Sequence, residues 1–209
     1  LEANTTGTQN TAVGYEALTA NNTHSYNTAV GHEALKANTA TGGTAVGHRA
    51  LTANTTGAAN LAIGKDALYN NTTGNYNIAV GYDTLQQNNA NNNVAVGHDA
   101  LKLNTTGYEN TAVGGNTLDA NTTGAVNTAI GFGALGANTT AARNTAVGKD
   151  ALAANTTGER NTSVGHDSLL VNSTGSYNSA FGQNALVANT TATHNTGIGY
   201  NAMAANTTG

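Results

Sequence analysis

The sequence predicts an all-β protein, a parallel β-solenoid (β-roll) of about twelve 17-residue coils with two short strands per coil. Three observations carry this expectation. A Gly follows an apolar residue every 17 residues, or 16 in two places, along the whole 209-residue chain. A short Thr-Ala-Val type segment, rich in β-branched residues, precedes each of these glycines. The period is also too short for tetratricopeptide, ankyrin, HEAT or leucine-rich units, which need roughly 20 to 47 residues.

The first element of each coil is the strand, as in Thr11-Ala12-Val13. The Val13 column holds only Val, Ile or Phe, and the Thr11 column admits Leu61, Ile78 and Val94. Residues two apart on a strand share a face, so the Thr11 and Val13 face is expected to be core. The Ala12 column is Ala in ten of twelve copies, with Ser163 and Gly197 as exceptions. Such strict smallness predicts close packing on the second face as well.

A corner follows at Gly14, Gly31, Gly47, Gly64, Gly81, Gly97, Gly114, Gly131, Gly148, Gly165, Gly182 and Gly199. Glycine reaches positive φ without steric cost, which a tight corner requires. A phosphate-cradling loop is excluded, because the Lys of a P-loop and the G-x-G-x-x-G spacing are both missing. Two variable polar positions come next, such as Tyr15-Glu16 and His32-Glu33, and face water. Ala17 and Leu18 then return to the core. The inward ladder runs through Leu18, Leu35, Leu51, Leu68, Leu85, Leu101, Leu118, Leu135, Leu152, Leu169 and Leu186, and Met203 continues it. This second segment reads as a strand in preference to an isolated turn of helix, which is marginal alone.

The last element contains an invariant Asn: Asn21, Asn38, Asn54, Asn71, Asn88, Asn104, Asn121, Asn138, Asn155, Asn172, Asn189 and Asn206. A second Asn column runs through Asn10, Asn27 and Asn60 and is broken only by Gly43. Stacked amides bond along an axis, as in cross-β assemblies. Both 16-residue units lose their residue between these columns, which marks a surface loop. The invariant Asn also forms Asn-x-Ser/Thr sequons, for example at Asn54, Asn104 and Asn172. It persists at Asn38 and Asn88, where the sequon is lost, so the amide is expected to be buried and bonded, not glycosylated.

Composition narrows the function. Charged residues make up 9% and the net charge is −4, so the basic footprint that nucleic acid or anionic lipid demands is missing. No Cys is present, and no apolar run reaches the roughly 20 residues of a membrane span. The expected protein makes no contact with nucleic acid or membrane through this segment. Residues 1–209 form one repeat array without atypical capping units, which repeat proteins normally need. The expectation is an interior fragment of a longer fibre.

The segments Asn27-Thr28-Ala29-Val30-Gly31 and Asn127-Thr128-Ala129-Ile130-Gly131 resemble head repeats of trimeric autotransporter adhesins. The fuller N-T-A-V-G-Y-x-A-L-x-x-N-T-T-G pattern is similar to repeat shafts of tail-fibre-like surface proteins that end in endosialidase-type chaperone domains. The resemblance implies a parallel homotrimer and an adhesive role. The period departs from the adhesin heads, where it is nearer 14 or 15, and no anchor, stalk or chaperone domain is present in this sequence. A thin core of one Val and one Leu per coil independently favours side-by-side association, with a single-chain solenoid as the second choice.

The functional expectation is a structural shaft of an extracellular fibre on a cell surface or virion, adhesive along its length and without a cofactor. A strict repeat supplies no unique set of acid, base and nucleophile, so no enzyme is expected. The alternative is a ligand-binding solenoid for carbohydrate, such as a surface glycan or matrix ligand, or for ice. Tyr26, Tyr76, Tyr108 and Tyr177 lie on the variable loop, where rings could stack on sugars. Thr55 and Thr56 are adjacent, so in a strand they point to opposite faces and spoil an ice-matching array. His32 with His48, and Asp66 with Asp83 and Asp99, stack in successive coils as conceivable metal ligands. Arg49, Lys149 and Gln183 in the same columns favour a variable solvated edge.

Overall fold

Each coil begins with three residues of extended chain, and in-register pairing with the next coil makes them a strand. The computed structural model describes residues 3–207. The protein is all-β, a parallel solenoid with no helix among the described residues. It divides into two units, Leu1–Thr106 and Gly107–Gly209. The first holds β1 (Thr11–Val13), β2 (Thr28–Val30), β3 (Thr44–Val46), β4 (Leu61–Ile63), β5 (Ile78–Val80) and β6 (Val94–Val96). The second holds β7 (Thr111–Val113), β8 (Thr128–Ile130), β9 (Thr145–Val147), β10 (Thr162–Val164), β11 (Ser179–Phe181) and β12 (Thr196–Ile198). Within each unit, equivalent positions face one another: Thr11 pairs with Thr28 and Ala12 with Ala29, just as Thr111 pairs with Thr128. The 16-residue coils keep this register, with Val30 opposite Val46 and Val80 opposite Val96.

The strand faces are reversed relative to expectation. Ala29, Ala45 and Ala62 are fully buried, whereas Val46 and Ile63 remain 37% and 39% exposed. The interior is narrow, and the Leu column fills it. At Gly197 an added Cβ would lie 3.1 Å from Leu186 Cγ, and nothing larger than the buried Ser163 occurs between strand and ladder. The strictness of the Ala12 column thus comes from the Leu ladder of the same chain. The Thr11 and Val13 face points outward.

The second strand does not form. Glu16 and Leu18 have φ of 54° and 52°, and the same pair of positive values recurs in later coils. A strand has negative φ throughout, so this alternation yields turns. The turns still bond from coil to coil: Glu33 N–H donates to Tyr15 O at 2.8 Å, and Leu18 N–H donates to Ala34 O at 3.1 Å. The leucines from Leu18 to Leu186 are fully buried with φ between 49° and 53°. Positive φ is a genuine outlier for a β-branched residue. That explains a buried aliphatic column with no Val or Ile in any copy.

The predicted corner is present. Gly14 has φ +129°, and a Cβ there would meet Gly31 O at 2.5 Å. Both the dihedral and the approach of the next coil demand Gly.

Candidate functional site

The sequence-predicted residues fall into an interior amide system, a charged edge and an outward strand face. The invariant Asn column lies inside, and Asn21 through Asn189 are fully buried. Each amide serves its own turn and a neighbouring coil. Asn54 Nδ2 donates to Gly57 O at 2.8 Å and to Asn38 Oδ1 at 2.6 Å. Asn71 to Asn54, Asn104 to Asn88 and Asn189 to Asn172 repeat the axial bond at 2.8 to 2.9 Å. With both hydrogens used and no exposure, Asn54 has no room for a glycan in the folded coil.

The second Asn column bonds differently. Asn60 Oδ1 accepts the Asn77 backbone N–H at 2.9 Å, while Asn60 Nδ2 donates to Gly74 O at 2.7 Å. Gly74 O also accepts from Asn71 Nδ2 at 3.0 Å, so both columns converge on one carbonyl. At the break, the Gly43 N–H still donates to Asn27 Oδ1 at 2.8 Å, but Gly43 has no amide to pass on to the next coil.

The edge after the Gly corner is charged and internally paired. Asp66 is buried and takes a two-point bond from Arg49, Nε to Oδ1 at 2.8 Å and a second guanidinium N–H to Oδ2 at 3.0 Å, plus Lys65 at 2.9 Å. Burial pushes the Asp66 pKa up, but hydrogen bonds from Arg49 and Lys65 outweigh it and leave the net value below the ordinary one. Lys102 lies 3.1 Å from both Asp83 and Asp99. Lys36 bridges Glu16 at 2.5 Å and Glu33 at 2.8 Å, and its hydrogen bond holds Glu16 below the usual carboxylate range. Basic side chains therefore already engage the acidic run. His32 and His48 do meet, stacked at 5.2 Å between centroids, with Tyr15 on the other face of His32 at 5.1 Å. No group of three or more His, Asp or Glu side chains positioned to hold a metal ion exists among the described residues.

Some of the aromatic rings spend their faces on neighbours. Tyr177 lies between His194, at 4.9 Å, and the Arg160 guanidinium, at 5.4 Å. Tyr82 lies between His98 and Lys65 in the same way. Tyr26 and Tyr76 are more than 60% exposed and stand in separate coils. No pocket occurs among the described residues. None of the described segments forms a helix long and apolar enough to cross a membrane.

The loop threonines bind the coils together. Thr122 Oγ1 donates to Thr139 O at 3.0 Å and Thr156 Oγ1 to Ser173 O at 3.0 Å, with Thr55 and Thr72 alike in the first unit. The outward strand face was missed by reasoning from sequence. Val13, Val46, Val96, Val113 and Ile130 are all at least 36% exposed. The available signal was the Ala12 column, since a narrow core selects the smaller of two faces. No family model, no curated protein and no solved structure matches this chain.

Proposed function

We propose that this chain is a structural segment of an extracellular fibre shaft, on a cell surface or virion, built for extension and without catalysis. The observation that supports this most is the sameness of the bonds between coils. Within each unit, a coil meets the next through strand, corner, turn, loop hydroxyl and two amide columns, and adding a coil repeats the set. Elongation therefore needs no new contact, and the stabilisation grows roughly with repeat number.

Self-association into a parallel homotrimer, through the strand face of the first unit, is part of the proposal. In the first unit, Leu61, Ile63, Ile78, Val80, Val94 and Val96 make the outward face of three successive coils wholly aliphatic. Exposed apolar patches of this kind mark interaction surfaces. Sedimentation and electron microscopy of the purified chain test both parts. Uniform rods of three chains are the expected result. A globular particle removes the shaft reading, and a monomer at all concentrations removes the trimer.

A further inference from the structure

We propose that the outward strand face of the second unit binds ice, through the Thr rank and the Val/Ile rank of β7 to β10. Four successive strands present Thr111 with Val113, Thr128 with Ile130, Thr145 with Val147, and Thr162 with Val164. They are paired in parallel and in register, Thr opposite Thr and branched aliphatic opposite branched aliphatic. Strand geometry spaces the pairs about 4.8 Å from coil to coil and about 6.7 Å from rank to rank. Regular spacing in two directions is what a crystalline ligand such as ice requires of the surface that binds it. β-branched residues are restricted at χ1, so these hydroxyls and methyls lose little side-chain freedom when a ligand arrives.

The hydroxyls separate this face from the rest of the chain. The loop hydroxyls of Thr122, Thr139 and Thr156 donate to carbonyls of the next coil and are spent. The hydroxyls of Thr111, Thr128, Thr145 and Thr162 make no hydrogen bond to protein among the described residues. The four pairs contain no charged side chain, and Val113 and Ile130 stand 36% and 40% exposed. A dry protein partner would bury a row of hydroxyls without bonding them, which is costly. An ordered water lattice satisfies them and covers the methyl groups with cage-like water. The adjacent Thr pairs that a reading of the sequence considers for this role therefore belong to the coil-to-coil bonding, and the Thr-x-Val face takes their place. In the first unit Leu61, Ile78 and Val94 replace the Thr rank, so its face offers only three hydroxyl-bearing coils.

The test uses the intact chain, its Thr145→Lys variant, and Gln183→Lys as a control of equal charge on the exposed edge. Ice-crystal shape and recrystallisation inhibition are measured against protein concentration, with thermal unfolding and sedimentation on the same samples. Shaped crystals with the native chain and Gln183→Lys, and a roughly tenfold or greater loss of potency with Thr145→Lys, support the assignment, as for a central residue of an interface. Folded native chain that leaves ice growth unchanged overturns it. Equal potency of the two Lys variants overturns it too. An oligomer that Thr145→Lys alone dissociates shows a protein partner on this face and also overturns it; the shaft reading survives each of these failures.

Discussion

The side-chain amide of Asn71 donates to that of Asn54 across 2.9 Å, and both side chains are fully buried. Asn71 donates its second hydrogen to Gly74 O at 3.0 Å, closing its own turn. One residue thus joins the local bend to the axial stack. Chains of such bonds polarise one another in a low-dielectric interior, so the column is worth more than isolated pairs.

Replacing Asn71 by Ala removes these two bonds and the one that Asn71 Oδ1 accepts from Asn88 Nδ2 at 3.3 Å, and it leaves Asn54 Oδ1 without its donor. The expected loss is about 3–4 kcal/mol, from three modest bonds and a desolvated acceptor. Urea unfolding measures it. A change under about 0.5 kcal/mol, the scale of a neutral surface substitution, would show that the column contributes little.

At Leu135, with φ of 53°, shape matters more than volume. Met203 already occupies the same column at φ 52°, so Leu135→Met is expected to be mild. Leu135→Ile keeps the volume but forces a β-branched side chain into positive φ, and should cost about 2 kcal/mol more than the Met variant. Equal melting temperatures of the two variants would refute the backbone explanation for the missing Val and Ile.

Val126 makes the same point from the other side. It sits at φ 60° with 41% exposure, in a column that otherwise holds residues without β-branching, such as Gly42, Asn92 and Tyr177. Val126→Asn should raise stability by about 1 kcal/mol by relieving that strain. Differential scanning calorimetry reads the shift, and a lower melting temperature would contradict it.

Acid should weaken the fold through Asp66 and Glu16. Both have folded-state pKa values below the ordinary carboxylate value. A depressed value means stability present above the unfolded pKa and lost as pH falls through the folded one. The denaturation midpoint should therefore decline below about pH 4. Asp66→Asn should reduce this decline, because it removes one titrating group while keeping the side-chain size. An acid profile identical to that of the native chain would show that Asp66 is not a source of it.

Much of the architecture is legible in the sequence because repetition samples each position twelve times. Gly14 and its copies tolerate no Cβ, and that intolerance is visible as invariance. The buried Asn column is legible for a related reason: Asn38 and Asn88 persist where the sequon does not, which points to a structural amide. The Leu ladder follows from uniform size and polarity. These are consequences of local geometry, and each leaves its mark at a single column.

What the tertiary structure alone decided is which way the strand faces and what fills the coil. Thr11, Ala12 and Val13 alternate in either orientation, and hydrophobicity favours Val inward. The Leu18 ladder leaves space only for the smallest side chains, so Ala12 turns in and Val13 turns out. The second segment becomes turns because Glu16 and Leu18 take positive φ, a preference that neither residue type carries on its own. The choice depends on bonds to the next coil, from Glu33 N–H to Tyr15 O and from Leu18 N–H to Ala34 O. Those bonds exist only once the coils are stacked, so no single repeat contains the information.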